Sequence, residues 1–197
     1  YTCMSNLELA FEGGKSVFCP GETTNIIVKF DGDGKGDEIT NYGKYGWQWE
    51  KNNIDYTSVY LSESGVKVPV TIKGDGSIKL GVRSCGTIYS NELTFTVHKA
   101  PEAPTVSFST NPVGQNKNTT LSIASYSADN TYVVYKSADD KVGSDTKVAD
   151  YTAPFAISLA EVGNYYYYAV ATSKACTDLV TTSTITKLEV LEAGAKI

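Results

Sequence analysis

The chain has one histidine, one methionine and no run of eighteen apolar residues among its 197. Without such a run there is no helical membrane span. Without histidines, nucleophilic catalysis has little to stand on. His98 lies beside a proline-containing stretch with no serine–carboxylate partners near it in sequence, and it reads as a solvated linker residue. No ten-residue segment keeps a helical period, so no Gly-rich loop opens a helix to cradle a phosphate. Clustered positive charge is missing too. Residues 1–100 carry 12 acids and 10 bases (−2) and residues 101–197 carry 10 and 7 (−3), which sum to the net −5. So mild and even an acidity argues against nucleic acid or an anionic membrane as partner. The start, Tyr1 to Ser5, lacks a charged, apolar leader and reads as a mature chain. Carboxylate neighbours such as Asp139-Asp140 sit in turn-like sequence, where adjacent side chains need not converge. The expectation is a protein that is not an enzyme and has no cofactor.

What is present is β-sheet chemistry. Fourteen tyrosines stand among abundant Thr, Ser, Val and Ile. Period-2 alternation marks Leu7-Leu9-Phe11, Ile26-Val28-Phe30, Tyr45-Trp47-Trp49, Val66-Val68-Val70-Ile72, Ile78-Leu80-Val82 and Leu93-Phe95-Val97, with a weaker strand near Tyr56–Leu61. Turn signals separate them at Cys19-Pro20-Gly21, Asp31-Gly32-Asp33-Gly34, Lys73-Gly74-Asp75-Gly76 and Cys85-Gly86. Strands at this spacing imply a sandwich or barrel.

The pattern stops at His98–Pro104, where Pro101 and Pro104 make a semi-rigid linker, and then begins again. Val106-Phe108, Leu121-Ile123, Val133-Tyr135, Phe155-Ile157-Leu159, the run Tyr165–Thr172 and Leu188-Val190 form the second series. The expected organisation is one β-sandwich over 1–99, a linker over 100–104 and a second sandwich over 105–197. Internal similarity supports two copies. Phe18–Ile26 resembles Pro112–Leu121, and Ile78–Cys85 resembles Tyr166–Thr172 followed by Cys176.

Cys19-Pro20-Gly21 before a strand, Trp47 or Trp49 on the next, and Cys85 after a later one resemble the tandem immunoglobulin-like modules of bacterial surface and secreted proteins, often adhesive or polysaccharide-handling. In the second half Gly163-Asn164-Tyr165 is similar to that fold's tyrosine corner, Val113 replaces the first cysteine and no Trp is present. Ile78 stands where the first half would carry the tyrosine. The resemblance implies an all-β fold of two antiparallel immunoglobulin-like sandwiches. Four cysteines allow three full pairings. The family pattern implies a Cys19–Cys85 bridge, which fits an oxidising compartment and leaves Cys3 and Cys176 without obvious mates.

Three further groups are candidates. Asp31, Asp33 and Asp37 partly match a calcium loop, but Lys35 and Tyr42 occupy ligand positions, so a solvated loop is the expectation. Alternation of Tyr165-Tyr166-Tyr167-Tyr168 places Tyr165 and Tyr167 inward, with Tyr165 bonding backbone in the turn before its strand. Tyr166 and Tyr168 then lie outward, where they could stack on a sugar or anchor a protein. Trp47 is expected in the core near Cys19 or Leu80, with Trp49 nearer the rim and a third ligand-binding candidate. Asn118-Thr119-Thr120 fits a glycosylation sequon that matters only in a eukaryotic secretory pathway.

These observations lead to a non-catalytic structural or adhesive segment of an extracellular or cell-surface protein, of Gram-negative secreted type. Its expected partners are another surface protein or a glycan, with further domains in the same chain. The alternative is a carbohydrate-binding module, or accessory domains of a secreted glycan-processing enzyme.

Overall fold

In the computed structural model the described residues are 2–33, 37–38, 48–61, 63–83, 85–143 and 145–195, with only the backbone of Asp37 and Glu38. The chain is all-β and divides into two compact units, Tyr1–His98 and Lys99–Ile197. Each is described by itself.

Unit 1 contains β1 (Ser5–Phe11), β2 (Val17–Phe18), β3 (Thr23–Asp31), β4 (Asp37–Glu38), β5 (Gln48–Tyr56), β6 (Tyr60–Leu61), β7 (Val66–Arg83), β8 (Thr87–Tyr89) and β9 (Leu93–Val97). Alternation along these strands sends Leu9, Phe11, Ile26, Val28, Val68, Val70, Ile72, Ile78, Leu80 and Phe95 into one core. The first part of β7 pairs antiparallel with β3, and its last part pairs with β8 and β9. One strand therefore serves both halves of the structure. Sequence reasoning placed a turn at Lys73-Gly74-Asp75-Gly76, whereas the structure keeps it as a bulge inside an 18-residue strand. Side chains from β5 satisfy the displaced backbone. Asn52 Oδ1 accepts from Ser77 N at 2.7 Å, and Asn53 Nδ2 donates to the Asp75 carbonyl at 2.6 Å. Gly76 is required there, because a Cβ would come within 2.4 Å of the Asn52 carbonyl oxygen.

Unit 2 contains β10 (Thr105–Phe108), β11 (Val113–Gly114), β12 (Thr119–Ala124), β13 (Asn130–Ser137), β14 (Asp145–Tyr151), β15 (Phe155–Ile157), β16 (Gly163–Ser173), β17 (Val180–Thr182) and β18 (Thr186–Leu191). They make a three-stranded sheet, β10-β12-β15, and a six-stranded one, β11-β18-β16-β13-β14 with β17 on β16. Val106, Leu121 and Ile123 from the first sheet share one core with Tyr132, Val134, Tyr167, Ala169 and Leu188 from the second. Two sheets closed over a common core fit an immunoglobulin-like sandwich.

A latch recurs in both units. Ser90 N donates to the Leu80 carbonyl, while its hydroxyl accepts from Leu80 N at 2.9 Å and donates to the Asn91 carbonyl at 2.8 Å. Ser183 does the same with Ala169 and Thr184, at 2.8 and 2.9 Å. Each serine is buried in the gap that splits the last strand into β8–β9 or β17–β18. This latch sets the correspondence between the units. Seven residues beyond each serine, Val97 pairs with Phe18 and Val190 with Val113. Val113 thus occupies the core place of Phe18, and Gly114, not Val113, stands where Cys19 is. In the same register Ile78 matches Tyr167, not the tyrosine-corner residue.

Candidate functional site

The bridge of unit 1 joins Cys3 to Cys85, with Cα atoms 5.5 Å apart, and replaces the expected Cys19–Cys85 pair. The register gives the reason. Phe18, next to Cys19, pairs with Val97 at the far end of β9, whereas Cys85 precedes β8 at the near end. The length of β8–β9, roughly 30 Å at about 3.3 Å per residue, separates the two positions. Cys3 lies at the near end, because Ser5 pairs with Asp31 where β3 finishes. Among the described residues no cysteine is a free thiol, so Cys3 and Cys176 are not the unpaired residues expected.

The acidic loop works at the same end. Asp33 Oδ2 accepts from Thr2 N at 2.8 Å, Asp33 N donates to the Thr2 carbonyl at 2.9 Å, and Asn6 Nδ2 donates to Asp31 Oδ2 at 2.7 Å. The loop carboxylates pin the segment that carries Cys3. A Cβ on Gly32 would lie 2.2 Å from the Cys3 carbonyl oxygen, so only glycine lets the two backbones meet. Among the described residues no three His, Cys, Asp or Glu converge as a metal site. The Asp37 side chain, Lys35 and Tyr42 lie outside the described residues.

The aromatic candidates distribute differently from expectation. Trp49 is buried, 5% exposed, opposite Leu80 and 5.3 Å from the Tyr56 ring, so a ligand has no access to it. Tyr45 and Trp47 lie outside the described residues. Tyr165 donates from its hydroxyl to the Glu161 carbonyl at 2.8 Å, the backbone bond expected before its strand, and Tyr167 is in the core. Burial pushes the Tyr167 hydroxyl up to about 12, with Tyr165 adding to it. Tyr166 is half-buried. Tyr168 is only 3% exposed, which corrects the expected outward exposure. It faces away from the core, but Tyr135 across the strand stacks on it at 5.3 Å and 18°, and its hydroxyl donates to Asp145 Oδ2. Burial and that carboxylate both raise its pKa. A ring so enclosed has no open face for a sugar. Among the described residues the exposed rings are those of Tyr60, Tyr89 and Tyr126, none of which alternation had singled out. Tyr89 lies over Gly81, and the Lys79 ammonium is 4.7 Å from its centroid.

Unit 1 carries a polar groove. A cavity of about 440 Å³ is lined by Thr23, Asn25, Asp55, Thr57, Pro69 and Thr71 together with Thr24, Tyr56 and Val70. A second, of about 370 Å³, adjoins it along Asp55 and Tyr56 and is completed by Lys51 and Ser58. Three adjacent strands build the floor. Thr71 is opposite both Thr23 and Asp55, and Pro69 is opposite Asn25. Pro69 also explains why the groove opens. Its carbonyl accepts from Thr57 N at 2.9 Å, but proline has no N–H to return, so β5 leaves the sheet there. The Asp55 carboxylate is held 3.2 Å from Lys73 Nζ and 3.9 Å from Lys51 Nζ. Sequence reading missed this site, since its Thr, Asn and Asp residues are ordinary for strand ends and meet only through pairing.

No family model matches the chain, and no curated protein does. Among solved structures it is similar to the Escherichia coli adhesin FdeC, at 11% identity and a TM-score of 0.48, over 95% of this chain and 65% of that one. It is also similar to dimeric latent PorU from Porphyromonas gingivalis, at 19% identity and a TM-score of 0.33, over 96% of this chain and 20% of that one. The chain thus spans less than two thirds of either. At such distances neither carries a function over. No helix among the described residues is long and apolar enough to cross a membrane.

Proposed function

We propose that the chain is a non-catalytic structural or adhesive segment of an extracellular or cell-surface protein, built as two immunoglobulin-like modules in tandem. The observation that carries the reading is where the chemically capable side chains go. Asp31 and Asp33 hold the N-terminal segment, Asn91 bonds both backbone groups of Leu9 at 2.8 and 3.0 Å, and Ser90 and Ser183 latch the last strands. Such groups, spent on fixing strands, are poor candidates for a nucleophile or a general base. The Cys3–Cys85 bridge supports an oxidising compartment.

Beads coated with the oxidised chain test the adhesive part. They should adhere to cell or extracellular-matrix surfaces above uncoated beads, and the chain should not turn over chromogenic ester, peptide or glycoside substrates. Saturable turnover that co-purifies with the chain would contradict the non-catalytic reading. Coated beads that adhere no better than bare ones would remove the adhesive half and leave a spacer.

A further inference from the structure

The groove of unit 1 has a composition that selects among ligands. Its walls offer hydroxyls from Thr23, Thr57 and Thr71, the Asn25 amide, which also bonds Glu12, and the Asp55 carboxylate, arranged in cross-strand rows. Hydroxyls and amides both donate and accept, while the carboxylate only accepts. The apolar surface among them is the exposed ring of Pro69 and the half-buried Tyr56. A ligand matching this pattern carries many groups that are donor and acceptor at once, with patches of C–H between them. That is the chemistry of a sugar.

Rival ligands fit less well. An apolar ligand would leave the threonine and asparagine groups unpaired. An anion would face Asp55, whose two lysines already pair with it. An extended peptide adding to a sheet edge needs a row of free backbone groups, and the groove lies on a sheet face where β3, β7 and β5 already pair with one another. The second cavity continues the groove past Asp55 and Tyr56 to Lys51 and Ser58, giving room for more than one ring.

We infer that this groove is a binding site for a neutral oligosaccharide, with Thr23, Thr71 and Asp55 bonding its hydroxyls and Pro69 and Tyr56 packing against its C–H faces. The inference extends the adhesive reading by giving it a site and a ligand class. Recognition of an open groove leaves one side of the sugar in water, so single-site binding is weak, and repeated modules would raise it through avidity.

The test uses the oxidised 197-residue chain with cellohexaose, xylohexaose, mannohexaose, chitohexaose and maltohexaose as probes, and sialyllactose as an acidic control, followed by titration calorimetry and NMR shift mapping. At least one neutral hexaose should bind and shift residues 23–25, 55–57 and 69–71. The double variant Thr23→Val/Thr71→Val keeps the shape of the wall and should melt within a few degrees of wild type. It should weaken binding at least about tenfold, the loss of roughly one to two hydrogen bonds. Tyr166→Ala should bind as wild type. No binding of any neutral probe, a preference for sialyllactose, or binding indifferent to the double variant would each overturn the inference. Adhesion that persists in the double variant would do so too, while sparing the adhesive reading.

Discussion

The two units secure the same junctions with different chemistry. In unit 1 the tie between the first strand and the last is the Asn91 amide, bonded to Leu9, and the open end is closed by the Cys3–Cys85 bridge and the Asp31 and Asp33 carboxylates. In unit 2 the corresponding tie is the Thr186 hydroxyl donating to the Val106 carbonyl at 2.8 Å. Tyrosine hydroxyls do much of the rest. Tyr132 donates to the Ser125 carbonyl, Tyr151 accepts from Ile123 N, and Tyr165 closes its corner. The core follows suit, since among the described residues Trp49, Phe11, Phe18, Phe30 and Phe95 are the buried aromatics of unit 1, whereas Tyr132, Tyr151 and Tyr167 fill unit 2. A tyrosine suits such places because it brings both apolar area and a hydroxyl that satisfies buried backbone. The serine latch is common to both.

That contrast can be broken in order of effect. Replacing Cys3 and Cys85 by serine removes a cross-link spanning 82 residues and should destabilise unit 1 by about 4–5 kcal/mol in urea melts. The unit 2 transition should move far less. Trp49→Ala and Tyr167→Ala should each cost about 3–5 kcal/mol, the first in unit 1 and the second in unit 2. An equal effect of either variant on both transitions would mean that the cores are not independent.

Acid and alkali should separate the units. The folded pKa of Tyr167 is raised to about 12 by burial and then by Tyr165, so the stability it contributes is complete below pH 10 and is lost as pH rises toward 12. Tyr168 moves in the same direction, so unit 2 should lose stability faster than unit 1 in alkali, although Tyr56 gives unit 1 a smaller version of the effect. In unit 1 the Lys67 ammonium holds Glu12 below its ordinary value, and Lys15 with the Cys19 backbone N–H does so for Glu22. Their contribution is present above the ordinary carboxylate pKa and is lost as pH falls below it, a small effect because both groups are solvated. Circular-dichroism melts between pH 3 and 12 would show the two trends crossing. If unit 1 fails first in alkali, the assignment of the buried tyrosines is wrong.

The latch should equalise the units again. Ser90→Ala and Ser183→Ala each leave a buried backbone N–H without its serine partner and should cost a similar 1–2 kcal/mol or so. A large difference between them would show that the shared geometry is not shared energetically. Smallest of all, Tyr166→Ala, at a half-buried strand position, should cost unit 2 about 1 kcal/mol or less.

Much of this was written in the alternation. Leu9, Ile26, Val28, Val70, Ile78, Leu80, Leu121, Leu188 and Val190 are buried as their period required, because a strand with one face in a core shows it in sequence. The Tyr165 bond was readable as well, since its partner is four residues away. What escaped depends on distance along the chain or on the outer face. Cys3 meets Cys85 only through the β1–β3 and β7–β8 pairings, which no local pattern announces. Period 2 tells which face Tyr168 takes but not that Tyr135 and Asp145 will cover it. The bulge in β7 looked like a turn because Gly-Asp-Gly suits either, and the side chains of Asn52 and Asn53 decide between them.

The measurement closest to the centre of this account is non-reducing peptide mapping of the protein recovered from its natural source. Modules stapled in an oxidising compartment require the peptides carrying Cys3 and Cys85 to be disulfide-linked. A Cys19–Cys85 link would contradict the strand register, and Cys3 and Cys85 recovered as free thiols would contradict the compartment.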